Sequence, residues 1–72
     1  VRAGGGSSGT IVHEGEELGY VLEGELDLNV DGVEYHLMPG DSFFFPSRMP
    51  HGYRNPTDKE TRVLWVNTPP TF

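Results

Sequence analysis

Three side chains in this sequence have the chemistry and the spacing of a metal site. His13 and Glu17 lie four residues apart with Gly15 between them, and His51 opens a later strand-like segment. Side chains four residues apart on a strand share a face, and a bend at Gly15 would let them converge. Two imidazoles and one carboxylate suit Fe(II), Mn(II), Ni(II) or Zn(II) better than Ca²⁺ or Mg²⁺. If the strands pair, His13, Glu17 and His51 therefore form a predicted site for a divalent transition metal.

The elements that must position these residues are predicted to be short β-strands. Apolar residues alternate with polar ones within 26–30 and 33–37, and within 18–22 the alternation has apolar residues in both sets. Further strand-like runs cover 43–45, 51–55 and 62–67. Such a period of two is typical of strands. Asp31-Gly32 between Val30 and Val33 is a strong hairpin signal. No segment carries a helical period with caps, so the chain is predicted to be all-β, with about six or seven strands in a barrel or sandwich.

Composition excludes several classes of function. A chain of 72 residues forms one domain, assigned here to residues 1–72. The absence of cysteine excludes disulfides and thiolate metal sites. A formal charge of −6 repels phosphate backbones, so no direct nucleic-acid contact is expected from this domain. There is no apolar run of membrane-spanning length and no signal-peptide pattern, and the expected location is cytoplasmic, without a membrane partner.

The residues around His13 resemble the first motif of the cupin superfamily. That motif is Gly, five residues, His-x-His, three or four residues, Glu, six residues and Gly. Gly5 opens it here, His13 stands at the second histidine, and Glu17 and Gly24 follow at the family's spacing. Ile11 stands where the first histidine is expected. Since Gly5 belongs to the motif, the Gly/Ser-rich start of the chain is interpreted as a barrel edge rather than a tag.

A second group of residues resembles the second cupin motif, which is Gly, five residues, Pro-x-Gly, two residues, His, three residues and Asn. Gly40, Pro46, His51 and Asn55 match this spacing, and Arg48 replaces the internal glycine. The resemblance implies a small six-stranded double-stranded β-helix barrel of the cupin or jelly-roll type, either complete or lacking N-terminal strands. It also implies a metal in the barrel mouth, held by three histidines and one glutamate.

The departure at Ile11 removes one of the four family ligands. A three-ligand site of lower affinity, formed by His13, Glu17 and His51, and a metal-free ligand pocket both remain open. Arg48 would lie near the pocket rim, where it could meet an anionic ligand or simply be solvated. Tyr53 and Asn55 share the face of His51 by strand period and are further ligand-contact candidates. Asn55 is equally well read as a turn-forming residue before Pro56.

The chain also resembles, more narrowly, the C-terminal cupin of bacterial transcriptional regulators that carry an N-terminal helix-turn-helix domain. This resemblance implies a module that senses a small molecule. The alternative is a small metal-dependent cupin enzyme of the dioxygenase, isomerase or decarboxylase type, and a third reading is a barrel that mainly dimerises. Catalysis normally needs a proton-transfer group beyond the metal ligands. No such residue is assigned as catalytic, and the binding module is therefore favoured over the enzyme.

One strand predicts a partner subunit. If Glu17, Gly19 and Val21 face the barrel interior, then Leu18, Tyr20 and Leu22 form an apolar outer face that needs a cover. The sequence therefore predicts a homodimer. Phe43, Phe44 and Phe45 are expected to form a short buried strand. The residues assigned to the core are Phe43, Phe45, Val63 and Trp65, although Trp65 could instead stack on a ligand, and the residue assigned to the surface is His36.

Overall fold

Six strands form the described part of the molecule. The computed structural model describes residues 1–7 and 14–68. The strands are β1 (Glu16–Glu23), β2 (Leu26–Val30), β3 (Val33–Leu37), β4 (Ser42–Pro46), β5 (His51–Arg54) and β6 (Arg62–Thr68). Within these residues there is no helix, and hence none long and apolar enough to span a membrane. The expected all-β class and the expected strand segments are confirmed.

The strands form two three-stranded antiparallel sheets. One has the order β4-β1-β6 and the other the order β3-β2-β5. From β3 onward the chain alternates between the two sheets with every strand, so the sheets are built together as the layers of a small barrel. This arrangement places β1 and β5, which carry the candidate site residues, in different layers.

The connection between β2 and β3 is the tight hairpin that the sequence predicts. Val30 pairs with Val33, and the two turn residues have positive φ angles of 51° at Asp31 and 81° at Gly32. Positive φ at both central positions is the signature of the type I′ turn, whose twist matches that of the flanking strands. The hairpin fixes the register of the second sheet.

The two faces of β1 differ as the alternation predicts. Glu17, Gly19 and Val21 are buried, and Val21 joins Leu26, Leu28 and Phe45 in the apolar core. The opposite face is apolar and exposed: Leu18 is 42% exposed, Tyr20 43% and Leu22 54%.

The aromatic run in β4 is less buried than the sequence suggests. Phe45 is buried, but Phe44 is 62% exposed because strand alternation turns it away from the interior. The assignment of Phe43, Val63 and Trp65 to the core is only partly right. These three side chains are half-buried because two small sheets leave open clefts between them.

The start of the chain lies along the edge of β5. The Ser7 amide donates to the Tyr53 carbonyl at 3.0 Å, and the Asn55 amide donates to the Gly5 carbonyl at 2.8 Å. A side chain at Gly6 would place its Cβ 2.2 Å from the Tyr53 carbonyl oxygen, so this approach requires glycine. Residues 1–7 therefore belong to the barrel edge, as interpreted from the sequence.

Candidate functional site

A carboxylate and an imidazole meet in the interior between the two sheets. Nε2 of His51 lies 2.7 Å from Oε2 of Glu17, and the two side chains are only 2% and 4% exposed. At this distance one of the two atoms must carry a proton, since otherwise two lone pairs would face each other. Two residues of the predicted triad are thus in direct contact.

A hydrogen bond at Nδ1, the ring nitrogen that does not face Glu17, fixes the orientation of His51. Its Nδ1 lies 2.8 Å from the carbonyl oxygen of Met49. A carbonyl oxygen only accepts hydrogen bonds, so Nδ1 carries a proton and donates it. Histidines that bind metals commonly donate one ring N–H to a carbonyl in this way, which leaves the other nitrogen as the ligand atom. Nε2 of His51 is therefore the nitrogen presented to the site.

Glu17 is also held at its other oxygen. The indole N–H of Trp65 donates to Oε1 at 2.9 Å. Gly19 is the pairing partner of Trp65 in β6 and of Phe43 in β4. The two rings pack edge to face over that glycine, with centroids 4.9 Å apart. The position of the carboxylate thus depends on all three strands of its sheet.

An open cleft of about 420 Å³ gives access to this pair. Tyr53 and Trp65 form its aromatic wall, with ring centroids 5.0 Å apart. The residues that line the cleft are Val1, Glu17, His51, Tyr53, Val63, Trp65 and Asn67. The lining thus combines apolar and aromatic side chains with the polar groups of Glu17, His51 and Asn67.

The third predicted ligand falls outside the described residues. His13 and its neighbour Ile11 both lie in the stretch 8–13. Among residues 1–7 and 14–68 there is no group of three or more His, Cys, Asp or Glu residues able to hold a metal ion. The described donors are one imidazole nitrogen and one carboxylate oxygen, both oriented by hydrogen bonds. Their chemistry fits a transition metal, and a three-ligand site would need His13.

Of the three residues predicted to contact a ligand, Tyr53 lines the cleft, and Arg48 and Asn55 do not. Tyr53 lines the cleft, whereas Arg48 is exposed in the turn after β4 and is not part of the lining. Asn55 is fully buried, and its side-chain amide forms hydrogen bonds with the loop that follows β5. Its Nδ2 donates to the carbonyls of Lys59 and Val1, and its Oδ1 accepts from the amide and the hydroxyl of Thr57. These contacts agree with the interpretation of Asn55 as a turn-forming residue before Pro56.

The third histidine is a surface residue, as the sequence predicts. The side chain of His36 is 50% exposed on the outer face of β3. Its Nδ1 lies 2.7 Å from Asp27 Oδ1 and its Nε2 lies 2.7 Å from Glu25 Oε1. The hydrogen bond to Asp27, followed by that to Glu25, raises the pKa of His36 above its ordinary value of 6.5.

The sequence did not indicate the hydrogen bond that Trp65 donates to Glu17 in the site. Trp65 was assigned to the core, and its contact with Glu17 joins two strands that are far apart in the sequence. The register of β1 against β6 would have indicated it, because Gly19 opposite Trp65 leaves room beside Glu17. Asn67 was missed for the same reason, since it pairs directly with Glu17.

Comparison with known proteins decides the family. Residues 1–67 match the Cupin_2 model, which describes a cupin domain. This chain belongs to the cupin family. It is similar to the HTH-type transcriptional regulator PuuR of Escherichia coli (strain K12), with 42% identity over 62 residues, covering 86% of this chain and 34% of the regulator. The cupin chain thus spans about a third of the length of that relative.

Solved structures show the same fold in a regulator and in an enzyme. The Cupin_2 domain of an XRE family transcriptional regulator from Enterobacter cloacae is 27% identical, with a TM-score of 0.84 over 99% of this cupin and 76% of that chain. The polyketide cyclase RemF from Streptomyces resistomycificus is 32% identical, with a TM-score of 0.79 over 93% of this cupin and 48% of that chain. The cupin is therefore related both to regulator domains and to enzymes.

Proposed function

We propose that this cupin is the effector-sensing domain of a bacterial transcriptional regulator, and that a small molecule binds beside Glu17 and His51. The similarity to PuuR and to the XRE family domain supports the regulatory context. DNA contact would then be made by another domain, which agrees with the net charge of −6 on this one.

The observation that carries this proposal is the buried Glu17–His51 pair in an open cleft. Removing two ionisable groups from water is costly, and a well-packed apolar pair is often as stable or more stable. A polar pair retained at the base of a cleft favours recognition of a polar group on a ligand. Tyr53 and Trp65 supply the apolar and aromatic contacts that such a ligand needs.

A divalent transition metal is the second part of the proposal. His51 Nε2 and Glu17 Oε2 would hold it together with His13, and Fe, Mn, Ni and Zn match this donor set. The metal would act as a Lewis acid that anchors an oxygen or nitrogen atom of the ligand. The loss of the family histidine at Ile11 predicts weaker binding than in a four-ligand site.

The test is elemental analysis and native mass spectrometry of protein purified without chelator. Wild type is compared with His51→Ala and with His36→Ala, which removes a histidine from the opposite, exposed surface. We expect metal or a bound small molecule in wild type and His36→Ala, and loss of either in His51→Ala. Absence of metal from wild type would refute the metal part. Absence of any ligand-dependent mass or stabilisation, in wild type screened against small molecules, would refute the sensor.

An enzyme is the second candidate, because the Glu17–His51 pair could transfer protons and RemF shares the fold. A metal-dependent dioxygenase, isomerase or decarboxylase would hold Fe or Mn near full occupancy and consume a bound molecule. An organic ligand that stays chemically unchanged during incubation with the protein would favour the sensor.

A homodimer completes the proposal. The outer face of the β4-β1-β6 sheet carries two apolar rows, since Leu18 lies between Phe44 and Val66 and Tyr20 lies beside Leu64. The exposed members of this outer face are Leu18, Tyr20, Leu22, Phe44, Leu64 and Val66. Apolar patches of this continuity are unusual on isolated monomers. A second copy offers the same apolar face, and a twofold axis would pack this face of one copy against the same face of the other.

A further inference from the structure

We propose that Trp65 is a positioning residue of the cleft: its indole N–H holds Oε1 of Glu17, so that Glu17 acts on a metal or ligand through Oε2 alone. This inference rests on the proposed function of the cleft and adds to it a residue that selects the acting atom of Glu17. The contact that defines it is the 2.9 Å hydrogen bond from Trp65 Nε1 to Glu17 Oε1.

The chemistry of the indole makes the selection strict. An indole N–H is a donor and never an acceptor. Oε1 of Glu17 must therefore accept, and a proton on this carboxyl group belongs on Oε2, which faces His51 Nε2 at 2.7 Å. Oε1 thus accepts the indole hydrogen bond, and Oε2 is the oxygen that would contact a metal or a ligand. A bidentate contact to one metal ion, which needs both oxygens, would break the indole hydrogen bond.

Packing keeps the indole in place. Gly19 is paired with Phe43 on one side and with Trp65 on the other. A Cβ at Gly19 would lie 2.2 Å from the Phe43 ring, so the glycine leaves the space that the ring occupies. The Phe43 and Trp65 rings pack edge to face, and Tyr53 packs on Trp65 from the other sheet. The indole is held by two aromatic neighbours before any ligand arrives.

Both donors of the site are therefore oriented by outer contacts. His51 is fixed through Nδ1 by the Met49 carbonyl, and Glu17 is fixed through Oε1 by Trp65. Outer hydrogen bonds of this kind commonly change metal affinity by about 10–100-fold when they are removed. The same loss of orientation would weaken an organic ligand that contacts Oε2.

The first experiment measures Co(II) binding by calorimetry to wild type, Trp65→Phe and His36→Ala. Phenylalanine keeps an aromatic ring against Phe43 and removes the N–H donor together with part of the indole's volume. We expect Trp65→Phe to bind Co(II) about 10–100-fold more weakly, with a circular dichroism spectrum like that of wild type, and His36→Ala to bind like wild type. Equal affinity in wild type and Trp65→Phe would overturn the positioning role.

The second experiment needs no metal, and its deciding measurement is made on the wild type. Trp65 is the only tryptophan of the chain, so its indole ¹H–¹⁵N signal is unique. We expect slow solvent exchange of this proton in wild type, and an upfield shift with faster exchange in Glu17→Met. Exchange in wild type as fast as in free tryptophan would overturn the inference. If wild type binds no Co(II) while the indole proton is protected, the metal part of the proposed function fails and the positioning contact stands.

Discussion

Nε2 of His51 lies 2.7 Å from Oε2 of Glu17, although His51 belongs to the β3-β2-β5 sheet and Glu17 to the β4-β1-β6 sheet. The pair is thus the polar contact that joins the two layers beneath the cleft. Its surroundings are largely aromatic, with the Phe45 ring centroid 4.9 Å from that of His51. In such surroundings, removing one partner and removing both partners should change the free energy of unfolding by different amounts.

Single substitutions of the pair are expected to cost more than the double substitution. His51→Leu leaves a buried carboxylate without its imidazole, and breaking a buried pair in this way costs about 3–5 kcal/mol. Glu17→Leu/His51→Leu replaces both groups by apolar ones and should be closer to wild type. Urea unfolding of the wild type, the two single variants and the double variant gives the coupling free energy. Additive effects of the two single changes would contradict the prediction.

The apolar outer face is expected to hold two copies together. Tyr20→Lys places a charge among Leu18, Leu22 and Leu64, where a second copy would bury it. We expect wild type to sediment as a dimer and Tyr20→Lys as a folded monomer. Tyr35→Lys is the matched control, because Tyr35 is similarly exposed, at 49%, but lies on β3 in the other sheet. Wild type that remains monomeric at concentrations of about 100 μM, well above those of stable dimers, would refute the interface.

The amide of Asn55 is expected to stabilise the loop from 55 to 61 and the start of the chain. Asn55→Ala removes the donor to the Lys59 and Val1 carbonyls and the acceptor for Thr57. Buried groups left without partners cost about 1–3 kcal/mol. Chemical denaturation should show this loss, whereas Asn29→Ala, at an exposed position on β2, should change stability by less than about 0.5 kcal/mol. Equal stability of the two variants would contradict the role of Asn55.

The faces and turns of this fold could be predicted from the sequence because they depend on neighbouring residues. The alternation at 17–22 fixes which side of β1 is buried, and Asp31-Gly32 fixes the hairpin register. The burial of Phe44 was wrongly expected because three consecutive aromatic residues hide the alternation that turns one of them outward.

The contacts of the site depend on long-range register and were less predictable. The family spacing placed Glu17 and His51 together, and the structure brings them into contact. It did not indicate the hydrogen bond from Trp65 to Glu17, which requires β6 to pair with β1 at Gly19. The part of His13 in a three-residue site stays a prediction, since His13 lies outside the described residues.

The outer face of the β3-β2-β5 sheet is expected to make stability depend on pH through His36. His36, Asp27 and Arg54 lie in one row across the three strands, and Glu25, immediately before β2, contacts His36. The hydrogen bond from His36, opposed in part by desolvation and helped by Arg54, lowers the pKa of Asp27 below its ordinary value of 3.8.

The raised pKa of His36 sets the direction of this pH dependence. A group whose pKa is higher in the folded state contributes stability that is complete below its unfolded pKa of 6.5 and is lost as the pH rises through the folded pKa. The lowered pKa of Asp27 acts oppositely, and its contribution is lost only as the pH falls below 3.8. Wild type should therefore exceed His36→Gln in melting temperature most between these two limits. The difference should shrink as the pH rises above 6.5 and through the raised pKa of His36, and in high salt, which screens exposed charges. Parallel melting curves of the two proteins from about pH 5 to about pH 8 would show that His36 does not act in this way.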